Sequence, residues 1–193
     1  MSNDYILYGM PASLYTGKVR SFLNKQGIRF VERGVNDPHY QQTIVPVIGR
    51  MIMPVLECPD GTLVQDGADI IDYFEQQGLA SLPAQPESSV LAAVSSLFEL
   101  FGGEGMLRPA MHYRWNFDEQ LDFIKSEFAC ALTPPGSSEA DAEALFEFAS
   151  GRMRGAASSF GVSEESASLI EASYLEFLEL FAAHLKTQAY LLG

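Results

Sequence analysis

A chain of 193 residues, 47% of them apolar, fits one large domain or two small packed ones with a substantial core. Twelve Lys and Arg against 25 Asp and Glu give a net charge of −13, which repels a phosphate backbone. The basic clusters, Lys18/Arg20 and Arg152/Arg154, are single pairs that read as solvated surface, so no nucleic-acid partner is expected.

No apolar run in the sequence approaches the roughly 20 residues a membrane-spanning helix needs, so a soluble protein without a membrane partner is expected. The start, Met1-Ser2-Asn3-Asp4, lacks the basic stretch and small-residue cleavage site of a secretory signal, and a cytoplasmic location is expected. The two cysteines, Cys58 and Cys130, show no Cys-x-x-Cys or Cys/His spacing, so neither a metal site nor a dithiol centre is expected. Cys58, beside the turn Pro59-Asp60-Gly61, reads as an exposed thiol, and Cys130, within a helical segment, as a buried one.

In chain order, Tyr5 to Tyr8 are a short apolar and aromatic run closed by Gly9-Met10-Pro11, which suits a buried strand and a turn. Val19, Phe22 and Leu23 then recur at helical period, with Lys25 in the last turn and Gly27 as the stop. Ile28 to Val35 alternate as a second strand. Residues 36–49, with Asp37-Pro38 and Pro46, read as a loop with one short helix near Tyr40 to Ile44. Ile52 to Leu56 and Thr62 to Val64 make a hairpin across Pro59-Asp60-Gly61, and Asp66-Gly67 opens a helix through Ile70, Ile71, Tyr73 and Phe74.

Leu82-Pro83-Ala84-Gln85-Pro86-Glu87 has the prolines and polarity of an interdomain linker. Beyond it no strand pattern is found. Helix-period apolar residues recur at Leu97/Leu100/Phe101, Leu121/Ile124/Phe128 and from Leu169 to Leu185. Breaks are expected at Gly102-Gly103-Glu104-Gly105, at Pro134-Pro135-Gly136 and at Gly161-Val162-Ser163, where Ser163 before two glutamates is a good helix start. The fold class is thus an α/β half followed by an all-α half, divided as 1–80, a linker over 81–88, and 89–193.

This order, with a proline opening the third strand and a helical bundle after the linker, resembles the cytosolic glutathione transferase superfamily, a thioredoxin-like domain followed by a helical bundle. Gly9 to Arg20 (Gly9-Met10-Pro11-Ala12-Ser13-Leu14-Tyr15-Thr16-Gly17-Lys18-Val19-Arg20) is similar to the first-strand turn and helix start of its serine-type classes. Met53-Pro54 is similar to the family's apolar-residue and cis-proline pair. Gln65-Asp66-Gly67-Ala68-Asp69-Ile70-Ile71-Asp72-Tyr73 resembles its acid-or-glutamine, serine, then helix motif. The match covers about residues 4 to 77, and each motif alone is weak.

The resemblance implies glutathione as co-substrate, no metal, a small apolar electrophile, a homodimer and a role in detoxification. Ser13 is the expected catalytic residue. A hydroxyl at a helix N-terminus can donate to a thiolate, and the free N–H groups and dipole there favour negative charge. Ser13 also suits a plain helix cap.

Met53 and Pro54 are the expected backbone contact, because a cis proline presents the Met53 N–H and C=O to a peptide-like ligand; the alternative is a strand-edge proline. Asp66 is expected to bind the ligand's ammonium, and the N–H of Gly67 at the helix start its carboxylate. Gly67 departs from the family's serine, which implies weakened binding, and a non-catalytic binding or scaffold protein is the second reading. Ala189-Tyr190-Leu191-Leu192-Gly193 resembles the segment just before the family's buried capping motif, so the helical half reads as incomplete. Met10, Tyr15, Met111 and Trp115 are candidates for an apolar cleft, or are plain core.

Overall fold

The computed structural model describes residues 4–84 and 86–192. The described residues include a four-stranded sheet. Strand β1 (Tyr5–Gly9) runs parallel to β2 (Phe30–Gly34) and antiparallel to β3 (Val55–Glu57), which pairs antiparallel with β4 (Leu63–Gln65). The parallel β1–β2 pair needs a crossover, and helix α1 (Leu14–Gln26) supplies it. Ser13 caps α1 by accepting from the Thr16 N–H at 3.2 Å, and Gly27 ends it at φ 67, a left-handed conformation that glycine adopts without steric cost.

Successive strand residues face opposite sides, so two cores form. Leu7 and Leu56 meet Val19, Phe22 and Leu23 of α1 and Ile70 and Phe74 of α3 (Gly67–Gln76) on one face. Tyr8 and Val55 meet Val35, Tyr40 and Ile44 on the other, where a π turn (Tyr40–Ile44) runs into the short helix α2 (Val45–Ile48). The expected strand from Ile52 is shorter than its apolar run. Pairing starts at Val55, after a proline that has no N–H to give a ladder.

Both cysteine expectations are overturned. Cys58, the residue directly after β3, is 4% exposed and lies in the core with α1 and α3. Cys130 is exposed: helix α6 (Leu121–Leu132) buries Ile124, Phe128 and Ala131, and Cys130 falls outside that stripe.

Among the described residues, contacts divide the chain into two compact units, 4–84 with 122–148 and 86–121 with 149–192. In the first, Asn36 ties the end of β2 to α6, its N–H donating to the Ala131 carbonyl at 3.1 Å and its amide to that of Thr133 at 2.6 Å. Gln26 holds the start of the expected linker, donating to the Leu82 carbonyl at 2.6 Å and accepting from the Leu82 N–H at 2.8 Å. Gln85 of that linker and Gly193 of the terminal segment lie outside the described residues, as do Met1, Ser2 and Asn3.

In the second unit, α4 (Ser89–Leu100) passes through a π turn (Phe101–Gly105) into α5 (Leu107–Trp115). The break expected at Gly102 to Gly105 is therefore absent, because an i to i+5 bond from the Met106 N–H to the Phe101 carbonyl at 2.9 Å carries the helix across the glycines. The resulting helix, Ser89–Trp115, has 27 residues and is long and apolar enough by length and composition to cross a membrane, which corrects the expectation that no such run exists. The breaks at Pro134-Pro135-Gly136 and Gly161-Val162-Ser163 are present, between α6, α7 (Glu139–Ser159) and α8 (Glu164–His184). Ser163 caps α8 in a reciprocal box with Ser166. Ala157, Val162 and Ile170 form a small core with Met111 packed against it.

Candidate functional site

Register places the expected site residues together at one end of the sheet. Tyr8 pairs with Val55, and Val55 with Gln65. Because β3 runs against both neighbours, the chain leaving β1 toward Ser13, the chain entering β3 through Met53 and Pro54, and the chain leaving β4 into Asp66 all emerge at the same edge. The packing of α3 on α1 agrees, since a Cβ built on Gly67 would lie 3.6 Å from the Tyr15 carbonyl oxygen, from Lys18 Cδ and from Val19 Cγ2.

The peptide bond before Pro54 is cis. Asp66 has φ 70 and ψ 147, a backbone conformation that few residues other than glycine adopt and that costs on the order of 1–3 kcal/mol. It is exposed, and its Oδ1 accepts from the Ala68 N–H at 2.8 Å, which caps α3. A carboxylate accepts several hydrogen bonds, so capping alone does not saturate Asp66. Ser13 likewise takes its cap bond on the oxygen, which leaves the hydroxyl proton to donate elsewhere. The cap and ligand roles of Ser13 and Asp66 are thus compatible. Gly67 is buried at the first position of α3, with a backbone N–H that has no partner within its own helix.

Other residues hold this edge in place. Arg20 donates from Nε and Nη2 to Glu32 of β2 at 2.6 and 2.7 Å, a bidentate pair, and its Nη2 lies 3.4 Å from the Met10 carbonyl. That carbonyl also accepts from the Ser13 N–H at 3.1 Å, so Arg20 braces the turn leading to Ser13. The Glu32 carboxylate pushes the Arg20 pKa further up, keeping it charged. In the sequence Arg20 stands beside Lys18 as ordinary solvated surface, and nothing in the pattern marks its partner twelve residues on.

Nor does the pattern mark Tyr40, at the start of the π turn: its hydroxyl donates to the Ile52 carbonyl and accepts from the Ile52 N–H at 3.1 Å. Tyr8 is fully buried and donates to Glu57 at 2.9 Å; burial first, then that bond, pushes its pKa far above the ordinary range. It is a core residue. Burial also pushes the Cys58 thiol up, and its hydrogen-bonded partner Tyr73 is raised to about 12, chiefly by that bond. Of the residues suggested for an apolar cleft, Met10 and Trp115 are buried and Met111 packs on the second unit's core. Among the described residues no three His, Cys, Asp or Glu side chains gather as a metal site.

A β2-β1-β3-β4 sheet with a cis proline before its third strand, crossed by α1 and followed by helices, is a thioredoxin-like domain joined to an all-helical part. Residues 7–79 match the family model described as the glutathione S-transferase N-terminal domain. Over those residues the chain is similar to the N-terminal domain of glutathione S-transferases.

Among solved structures, a glutathione transferase from Phanerochaete chrysosporium shares 21% identity at a TM-score of 0.52, over 78% of this chain and 63% of that one. Glutaredoxin 2 from Salmonella typhimurium, in complex with glutathione, shares 16% at 0.46, over 96% and 71%. A glutathione transferase homologue from Sulfitobacter, with bound glutathione, shares 16% at 0.43, over 89% and 99%. The chain thus spans less than two thirds of the length of the Phanerochaete protein. No curated protein matches the sequence.

Proposed function

We propose that the chain binds glutathione at the edge where β1 and β4 end and β3 begins, and uses its thiol on a small apolar electrophile or a peroxide. The observation that carries this reading is Asp66, an exposed acid held in a costly backbone conformation beside a helix N-terminus. A cap alone needs no such conformation, since Ser13, Ser88 and Ser163 cap their helices from ordinary extended backbone.

Asp66 would hold the ammonium of the γ-glutamyl group and the Gly67 N–H its carboxylate, while the Met53 backbone would pair with the peptide part. Glutathione supplies the nucleophilic sulfur. The thiol gives its proton to solvent, and Ser13 donates to the resulting thiolate, which attacks a carbon centre whose leaving group departs with the bonding electrons. With a peroxide, two glutathione thiols give one disulfide, an alcohol and water. A homodimer and a cytoplasmic role in detoxification belong to the same reading.

Gly67 favours a second reading, a binding or scaffold protein without turnover, because it offers the carboxylate a backbone N–H and no hydroxyl. Retention on immobilised glutathione with elution by free glutathione, followed by a conjugation assay with an aryl halide, separates the two. Retention with turnover supports the enzyme, and retention without turnover the scaffold. A protein that flows through and stays silent in a calorimetric titration at millimolar glutathione has neither activity.

A further inference from the structure

We infer that Tyr40 is a positioning residue that holds the Met53 backbone ready for its ligand; the inference rests on the glutathione-binding reading above. Ile52 lies outside the β ladder, which starts at Val55, so its N–H and C=O have no strand partner. One side-chain oxygen serves both. The Tyr40 hydroxyl donates to the Ile52 carbonyl and accepts from the Ile52 N–H at 3.1 Å. A single hydroxyl thereby takes the place of a ladder rung for the residue directly before Met53.

The hydroxyl is itself well held. Tyr40 is fully buried, and its ring packs on Tyr8 with centroids 5.0 Å apart. The Tyr40 N–H donates to Asp37 Oδ1 at 3.2 Å, as does that of His39 at 2.8 Å, and Arg33 pairs with the other carboxylate oxygen at 3.2 Å. Phenylalanine would fill the same space in this core, so the oxygen is there for its bonds to Ile52. Burial raises the Tyr40 pKa, which keeps the hydroxyl protonated and able to donate.

A ligand that pairs with a free backbone segment must order that segment on binding, and fixing one residue corresponds to about a tenfold loss of affinity. With the Ile52 bonds in place, that ordering is already done.

The test compares Tyr40→Phe with Tyr8→Phe, which removes the same atom from the other ring of the packed pair but breaks a bond to Glu57 instead. Calorimetry with glutathione should show Tyr40→Phe about tenfold weaker than wild type and Tyr8→Phe within twofold of it. Any conjugation activity should show the loss in KM for glutathione, with kcat retained. Amide exchange gives a second measure. In the unliganded wild type the Ile52 N–H should exchange more slowly than that of exposed Met51, and the difference should vanish in Tyr40→Phe.

Unchanged affinity in Tyr40→Phe, equal losses in both variants, or an Ile52 amide as fast as Met51 in the wild type overturns the inference. A wild type that does not bind glutathione overturns the underlying reading instead, and that result is seen before either variant is measured.

Discussion

Replacing Gly67 with serine tests the proposed site most directly, because it adds one hydroxyl where a ligand carboxylate would lie. Space is not the obstacle. The nearest atoms to an added Cβ are Tyr15 O, Lys18 Cδ and Val19 Cγ2, all at 3.6 Å, which is ordinary van der Waals contact, and Gly67 does not use a positive φ. Serine is also the better helix former by a few tenths of a kcal/mol, so Gly67→Ser should fold.

A new hydrogen bond to a charged carboxylate contributes about 1.5–3 kcal/mol, or one to two powers of ten in Kd. The assay is calorimetric titration of both proteins with glutathione at low salt. One competing outcome is built into the geometry: the new hydroxyl can turn to the nearby Tyr15 carbonyl instead. That bond would raise the thermal midpoint and leave Kd unchanged, so melting curves are measured alongside. A Kd improved tenfold or more supports the site. A stabilised protein with unchanged affinity refutes the proposed place of the carboxylate, and no binding by either protein at millimolar glutathione refutes the site as a whole.

Ser13→Ala should reduce turnover with a model electrophile far more than glutathione affinity, since the hydroxyl acts on the thiolate; loss of its cap on α1 should also cost about 1 kcal/mol in denaturant unfolding. Unchanged turnover would move the role elsewhere, with Tyr15 the next residue to substitute. A thiol reagent near pH 7.5 should label Cys130 rapidly and Cys58 slowly, because Cys58 is buried and its pKa is raised, so that its rate climbs only as the pH passes the ordinary thiol range. Two equally fast thiols would contradict the placement of Cys58. Sizing with light scattering at micromolar concentration should give twice the chain mass, since Leu97 and Leu100 of α4 present apolar side chains that are 67% and 60% exposed; a monomer would refute the proposed dimer.

The sequence by itself determined the features set by local chemistry. Ser13 and Gly27 bound α1, Gly61 turns the hairpin, Ser163 starts α8 and the helical period fills the second half, because caps, turns and amphipathic stripes depend on residues within one or two turns of each other. The resemblance of its motifs to those of glutathione transferases is what grouped Ser13, Met53-Pro54 and Asp66-Gly67 as one expected site.

Only the tertiary structure decided what depends on partners far along the chain. Cys58 and Cys130 exchanged their expected exposures, because burial follows from which face α1, α3 and α6 cover. The Gly102 to Gly105 stretch stayed helical, because a π turn supplied the bond that its composition argued against. Arg20, twelve residues from Glu32, and Tyr40, twelve residues from Ile52, carry no local pattern that names their partners. Their bonds exist because the β1–β2 crossover and the loop after β2 fold back onto the sheet edge, and no reading confined to neighbouring residues contains that distance.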